Sequence, residues 1–327
     1  MSEVRPDLLA AFLSEQVHDA VTVEDLQRIS SVGNAREPWS FRACWAGREE
    51  RCVMLVKAEA GQLETSLVPE FATIAALAAS GVPVAPARWL DPDGSVFGSA
   101  FFVTGWVPGT ADTAVLRKPG GDVAIAAVAR QLAAAAARLH AQDPAQFGHL
   151  APTTVAAAAA DQLAYWEELF HRQRLEPHPA LVYALRWLRE RLPTADRVSV
   201  VHGDLRFGNL LYDGDRLTAL IDWEMVHLGD PIEDLGWVYR SLWSPVRSLP
   251  FEEFLAVYAA AAGHAVDREH LRWYEVFNEV KHSVISLTGT RSFADRSTMW
   301  LRHADRSATV PPFVRRILEL VEQAPPC

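Results

Sequence analysis

Apolar residues recur along this chain with two different periods. Leu8, Leu9, Phe12 and Leu13, followed by Val17 and Val21, are spaced as on one helix, so residues 1–25 are expected to form a leading, packing helix. From residue 26 the pattern turns to strand. Runs over 27–32, 40–45 and 51–56 are rich in apolar and β-prone residues, with a turn at Gly47 between the last two. Pro69-Glu70 then open a helix whose apolar face is Phe71, Ile74, Leu77 and Ala78 and which stops at Gly81. Residues 82–86, with two prolines, make a stiff connection, and 88–90 and 99–104 read as strands around the turn Asp91-Pro92-Asp93-Gly94. Five strands predict one antiparallel sheet.

The β pattern breaks at residues 105–110, and the chain beyond is mainly helical. Segments 122–142 and 154–173 are rich in alanine, yet they carry Leu132, Leu139, Leu163, Trp166 and Phe170, which points to close helix packing rather than disorder. After a further amphipathic helix over 179–192, residues 198–201 read as a buried strand. Residues 210–212 and 217–221 form a hairpin turned by Asp213-Gly214. Polar groups fall at the ends of these strands: His202, Asp204 and Asn209 on the loop entering the hairpin, Asp222 where it leaves. Asn209 and Asp222 can therefore converge on one cation. The expected class is α+β, with a small N-terminal lobe over 1–104 (five-stranded antiparallel sheet plus helix), a hinge at 105–110 and a larger, mainly helical lobe over 111–327 that carries the hairpin.

At 327 residues, half of them hydrophobic, the chain can bury roughly 75% of its unfolded surface. Its formal net charge of -10 excludes nucleic acid and anionic membrane surfaces as main partners, since phosphate binding requires a basic patch. No signal peptide or membrane insertion is indicated by the N-terminus, and three cysteines without a CxxC pair point to a reducing cytoplasm. If the second hairpin turned near Arg48, Cys44 and Cys52 would face each other and a disulfide would be conceivable.

An Asp, an Asn five residues later and an Asp after a hairpin suit phosphoryl transfer, which needs a carboxylate beside the acceptor hydroxyl and oxygen ligands on Mg²⁺. His202-Gly203-Asp204-x-x-x-x-Asn209 followed by Ile221-Asp222-Trp223 resembles the core of the aminoglycoside phosphotransferase and choline kinase group of small-molecule kinases. It is similar to H-R-D-x-x-x-x-N and D-F-G of protein kinases, with Gly203 and Trp223 in altered positions. Through Glu224, Gly229-Asp230-Pro231 and Asp234-Leu235-Gly236-Trp237 the pattern looks most like the phosphotransferase branch fused to acyl-CoA dehydrogenases in some animals. The resemblance implies a bilobal protein-kinase-like fold that uses ATP, with GTP an open alternative, and Mg²⁺.

On this resemblance Asp204 is the catalytic base, Asn209 and Asp222 hold the metal, and Lys57 at the end of its strand meets the α- and β-phosphates. The plain alternative for Lys57 is a lysine leaving a strand into solvent. Glu70 is expected to pair with Lys57, with Glu59 and Glu64 as competitors and favourable placement on the helix dipole as the other reading. Arg206 either steadies the transferring phosphoryl group or faces solvent. Phe102, Thr104 and Trp106 mark the adenine-binding hinge only approximately, because main-chain contacts leave no side-chain signature. The loop over 33–39 lies where kinase folds cover the phosphates, although it is not G-x-G-x-x-G, and the chain has no P-loop.

His202 is read as shaping the loop, with a general base as the alternative, and Glu224 either touches the metal through water or bonds the loop. Asp230, Pro231 and Glu233 read as N-cap, first turn and capping box, and Asp234 as structural rather than substrate-binding. In residues 271–287, Trp273, Glu275, Asn278, Glu279, Lys281 and His282 read mostly as a solvated face. There Glu275, Glu279 and Asp267 are balanced by Lys281, His282, Arg272 and Arg291, a mixture that suits an anionic or CoA-linked acceptor at least as well as a cationic one.

The function expected is ATP-dependent transfer of the γ-phosphate to a hydroxyl of a small molecule. An aminoglycoside or other antibiotic O-phosphotransferase is the alternative within enzymes, and it calls for clustered carboxylates. A pseudokinase-type nucleotide-binding or interaction module is the alternative outside them. A protein kinase fits poorly, because the stretch after Asp222 reaches a capped helix by Asp230 and leaves no room for a long activation loop. Acceptor identity and oligomeric state are left open.

Overall fold

The computed structural model describes residues 4–29, 36–58 and 66–323. Helix α1 (Pro6–Val17) starts on a proline and ends where His18 turns left-handed. Strand β1 (Thr22–Arg28) follows. It begins five residues before the expected strand, and Val21, placed by spacing on the helix, packs in the core beneath the sheet; residues 30–32 of that expectation lie outside the described residues. Strands β2 (Arg36–Trp45) and β3 (Arg48–Lys57), helix α2 (Leu67–Leu77), and strands β4 (Ala87–Asp91) and β5 (Phe101–Gly105) complete this part. The sheet is five-stranded and antiparallel in the order β1-β2-β3-β5-β4.

Alternation along the strands gives the sheet two different faces. Phe41, Ala43, Cys52, Met54, Phe101 and Val103 bury with Leu9 and Leu13 of α1, while Leu55 and Phe102 face the other way, toward α2 and the larger core. The β2–β3 turn falls at Ala46-Gly47, both with positive φ, rather than near Arg48. Cys44 therefore pairs across the ladder with Glu49 and Cys52 with Phe41, and both thiols are free. The disulfide geometry does not arise; Cys327 lies outside the described residues. Helix α2 starts two residues before Pro69, because the Ser66 hydroxyl accepts from the Val68 N–H at 3.3 Å.

Beyond the sheet come α3 (Val123–His140), capped by Asp122, α4 (Ala158–Gln173) and α5 (Pro179–Glu190). Next are β6 (Ser199–Val201), the hairpin β7 (Leu210–Asp213) and β8 (Arg216–Leu220), and β9 (His227–Gly229), which pairs with β6. Helices α6 (Ile232–Val238), α7 (Phe251–Ala262), α8 (Arg268–Ala294), α9 (Leu301–Ala304) and α10 (Val310–Glu322) close the chain. Among the described residues no helix is long and apolar enough to cross a membrane.

The segment after β5 is strapped to the hairpin. Thr110 and Tyr212 exchange main-chain bonds, Thr218 Oγ1 donates to Pro108 O at 2.7 Å, and Leu220 N–H to Pro83 O at 2.7 Å. These bonds fix the hairpin, and the polar residues at its ends, against the sheet.

Most alanines of α3 are buried, Ala129, Ala133, Ala135 and Ala136 completely. A Leu at position 136 has no space to occupy, so Ala136→Leu is expected to destabilise the fold by about 1–3 kcal/mol. The midpoint of urea unfolding measures this; an unchanged midpoint would mean that α3 is not closely packed.

Candidate active site

The short strand β6 delivers the chain to His202-Gly203-Asp204, and this loop is held from behind by α6. The Asp234 carboxylate accepts from the His202 N–H at 2.8 Å and the Gly203 N–H at 3.0 Å, and His140 Nε2 lies 3.1 Å from it. Burial alone would raise this carboxyl, but the bond to His140 and the N–H of His202 hold it below the usual range. Gly203 has φ 79°, and a Cβ there would collide with the Met225 carbonyl, so only glycine fits. From the other side Lys281 Nζ donates to Gly203 O at 2.5 Å and to Glu233 Oε1 at 2.7 Å.

His202 has the structural role expected of it. The Asp204 N–H donates to its Nδ1 at 3.3 Å, so its Nε2 carries the proton and donates to Ile221 O at 3.1 Å. Burial lowers its pKa, which keeps it neutral for both bonds. One ring thus ties the Asp204 loop to the strand end that presents Asp222.

The Asp204 carboxylate is fixed by three donors: Asn209 Nδ2 at 2.5 Å, Trp237 Nε1 at 2.6 Å and Arg206 Nε at 3.0 Å. Arg206 is half-buried beside Asp204 rather than solvent-facing, and a side chain at Gly208 would displace its guanidinium. With Nδ2 spent on Asp204, the Asn209 Oδ1 is the atom left for a cation. Asp222, at φ 66°, lies close enough to Asp204 and Glu70 that burial and their charges raise its pKa. Glu224 is raised by burial and by Asp222, and its Oε2 is buried without a hydrogen-bond partner.

These oxygens fit a magnesium ion, which takes one or two carboxylates from protein and completes its shell with phosphates and water. Among the described residues no group of three or more His, Cys, Asp or Glu side chains is arranged to hold a metal unaided. A site completed by nucleotide phosphates has no need of one.

The expected Lys57–Glu70 pair is not formed. Arg36 lies directly opposite Lys57 on the β2–β3 ladder and takes Glu70 instead, through Nη2 at 2.8 Å and Nε at 3.2 Å. The Trp223 main chain lies near enough to help lower the Glu70 carboxyl against burial, so Glu70 brings α2 beside the Asp222 segment. Lys57 is exposed, on the face of β3 shared with Leu55. Glu59, Glu64 and residues 33–35 of the expected phosphate loop lie outside the described residues. Phe102 and Thr104 share the inner face of β5 and are buried, Phe102 against Phe71. Trp106 carries Arg51 over its ring at 3.5 Å, and its main-chain N–H is committed to Arg51 O.

Two further expectations are corrected. Asp230 caps α6 by accepting from the Ile232 N–H at 3.0 Å, but Glu233 closes no capping box: its carboxylate faces Lys281 and His227. The polar residues of α8 are also no solvated face. Asn278, Glu279, Lys281 and His282 are buried, with Glu279 holding Arg240 and His282 stacked on Phe313. Arg36, Trp237 and Lys281 were missed as site residues; only the placement of a lysine among Trp273, Tyr274 and Phe277 hinted that α8 turns its charges inward.

A sheet domain strapped to a helical region, with a fixed Asp above paired oxygen ligands, defines a kinase-like phosphotransferase. The sequence profile described as "Phosphotransferase enzyme family" matches residues 33–274, and the chain belongs to that family. Mouse acyl-CoA dehydrogenase family member 10 is 28% identical over 210 residues, 60% of this chain and 19% of its own. Mouse family member 11 is 29% identical over 187 residues, 55% of this chain and 24% of its own. The chain thus spans about a fifth to a quarter of the length of these relatives.

Among solved structures, a candidate aminoglycoside phosphotransferase of Ralstonia eutropha superposes with a TM-score of 0.78 at 21% identity, covering 99% of this chain and 100% of that one. Aminoglycoside phosphotransferase APH(4)-Ia, solved with AMP-PNP and hygromycin B, gives 0.67 at 17% identity, covering 97% and 99%. Macrolide 2'-phosphotransferase of Brachybacterium faecium gives 0.61 at 19%, covering 94% and 98%.

Because Asp234 holds the loop through its charge, Asp234→Asn is expected to cost about 3 kcal/mol of stability, the usual scale for unpairing a buried ionic group. Urea unfolding checks it; wild-type stability would remove Asp234 from this role.

Proposed function

We propose that this protein transfers the γ-phosphoryl group of ATP to a hydroxyl of a small molecule, with Asp204 as base and Asn209 and Asp222 as the protein ligands of Mg²⁺. The observation that carries the reading is the fixing of the Asp204 carboxylate by Asn209, Trp237 and Arg206 on a loop itself bonded from both sides. Phosphoryl transfer asks little more of a protein than positioning and charge neutralisation, and this is how the loop is built.

In this reading Asp204 accepts the proton of the acceptor hydroxyl as its oxygen bonds to the γ-phosphorus. The bond from that phosphorus to the β,γ-bridging oxygen breaks, ADP leaves, and the proton on Asp204 passes to solvent. Arg206 is one hydrogen bond from Asp204 and half-buried, so its guanidinium can shift to the transferring phosphoryl group. Mg²⁺ supplies neutralisation of the β- and γ-phosphate charge when bound. Lys57, exposed on the inner face of β3, is assigned to the α- and β-phosphates, and the inner face of β5 from Phe102 and Thr104 to Trp106 to the adenine.

ATP as donor is supported by the AMP-PNP complex of APH(4)-Ia, a neighbour in fold; GTP stays open. The free thiols of Cys44 and Cys52 agree with a reducing cytoplasm. A cationic aminoglycoside is the second reading for the acceptor, drawn from the names of the solved neighbours. The groups touching Asp204 speak against it, because they are a guanidinium, an amide and an indole rather than carboxylates. After burial, Arg240, Arg306, Arg206 and Lys281 all press His282 toward its neutral form. An anionic or CoA-linked hydroxyl compound, the class suggested by the names of the longer relatives, is the first to assay. The intact Asp204, Asn209 and Asp222 set weigh against a pseudokinase.

ADP release is to be measured with MgATP and a panel of anionic, neutral and polycationic hydroxyl compounds. Asp204→Asn is expected to keep nucleotide affinity and to lower turnover about a hundredfold or more. Near-normal turnover in that variant removes Asp204 as the base. Nucleotide binding without ADP release on any acceptor would favour the pseudokinase.

A further inference from the structure

The carboxylates of the cleft are shared with a cation that belongs to the protein. Arg36, the first residue of β2, has a side chain only 8% exposed. Its guanidinium bonds Glu70 Oε2 at 2.8 and 3.2 Å and stands 3.7 Å from Glu224 Oε2. Its charge also interacts with Asp222. It thus reaches three elements at once: the sheet, α2, and the segment leaving the catalytic hairpin.

Two features make this more than a structural ion pair. The contact with Glu224 is too long for a hydrogen bond, and Glu224 Oε2 has no other partner although it is buried. A buried carboxylate oxygen held only by a distant charge is one whose better partner is elsewhere. Moreover, Glu70, Asp222 and Glu224 all interact with the Arg36 charge, and Arg206, the other guanidinium acting on Asp222, is already paired with Asp204, which leaves a formal deficit of two positive charges. That is the charge of one divalent cation.

We infer that Arg36 is the resident counter-cation of this cleft, competing with the divalent metal for Glu224 and Asp222. The inference rests on the reading of Asn209 and Asp222 as metal ligands. Before metal binds, Arg36 lowers the mutual repulsion of the carboxylates and keeps the sheet and hairpin segments together. When metal and nucleotide enter, it keeps Glu70 and gives up Glu224. Metal binding without nucleotide is therefore weak by construction, because two cations a few ångströms apart repel. The nucleotide's own phosphates supply the negative charge that lets both stay.

The test is Mn²⁺ binding to the whole protein, followed by the paramagnetic resonance of free Mn²⁺, with and without ATP. Arg36→Met is expected to bind nucleotide-free Mn²⁺ about tenfold more tightly than wild type, and Arg36→Lys, which keeps the charge, to resemble wild type. Should Arg36→Met not fold, Arg36→Gln retains a hydrogen-bonding group for Glu70 and carries the same expectation. Equal or weaker nucleotide-free binding in the neutral variants, with binding still lost in Asp222→Asn, overturns the role of Arg36 while leaving the metal site standing. Mn²⁺ binding with ATP that is indifferent to both Asp222→Asn and Asn209→Ala overturns the metal reading, and the counter-cation with it.

Discussion

The arrangement of the site depends on one buried carboxylate. Asp234 is fully enclosed, and a charge in that position is tolerated only because His202 N–H, Gly203 N–H and His140 surround it. Two of the three donors are main-chain groups of the residues just before Asp204. The loop therefore has its shape set by its backbone, independently of any substrate. His140 closes α3 and passes its other ring nitrogen to the Tyr258 hydroxyl of α7 at 2.9 Å. The same carboxylate thus gathers α3, α6 and α7 beneath the Asp204 loop.

His202 extends this control to the other half of the site. Its ring lies between the Asp204 N–H and the Ile221 carbonyl, packed 4.4 Å from Trp223. The loop of Asp204 and the strand end before Asp222 are thereby tied together by one neutral imidazole. Asp222 takes a positive φ that few residues other than glycine, asparagine and aspartate adopt readily, and the next residue's main chain lies beside Glu70 of α2. The segment over 222–224 is thus where the sheet side and the helical side meet, and its charges respond to both.

The sequence carried the local parts of this design and lost the distant ones. Asp204, Asn209 and Asp222 could be read because each sits at the end of a short apolar run, and Asp213-Gly214 announced the hairpin that brings them together. The five strands were legible from alternation, although β1 began earlier than its pattern suggested because Val21 is buried by the sheet and not by a helix. The Arg36–Glu70 pair was invisible: which residue faces Lys57 follows from the β2–β3 register, which the Ala46-Gly47 turn sets. Glu233 looked like half of a capping box because local spacing cannot reveal a lysine 48 residues away. Charges on α8 read as solvated because a helix of 27 residues shows its buried faces only once its neighbours are known.

That last misreading points to how α8 and Asp204 are joined. Glu279, Lys281 and His282 lie on α8 within one turn, and each meets a different part of the site: Glu279 holds Arg240, Lys281 holds the Gly203 carbonyl, and His282 packs on Phe313 of α10. Between them stands Trp237, with Arg240 at 4.9 Å and Lys281 at 4.7 Å from its ring, and with its N–H on Asp204. Cations over an indole ring draw on its electrons and hold it in place, so the donor that orients Asp204 is itself positioned by α8. Lys281 and Glu233 cannot vary without moving the loop. Arg240 and His282 also reach Asp204 by a second route, through the Trp243 ring that Arg206 covers at 5.2 Å, so α8 bears on two of the three donors that fix the Asp204 carboxylate.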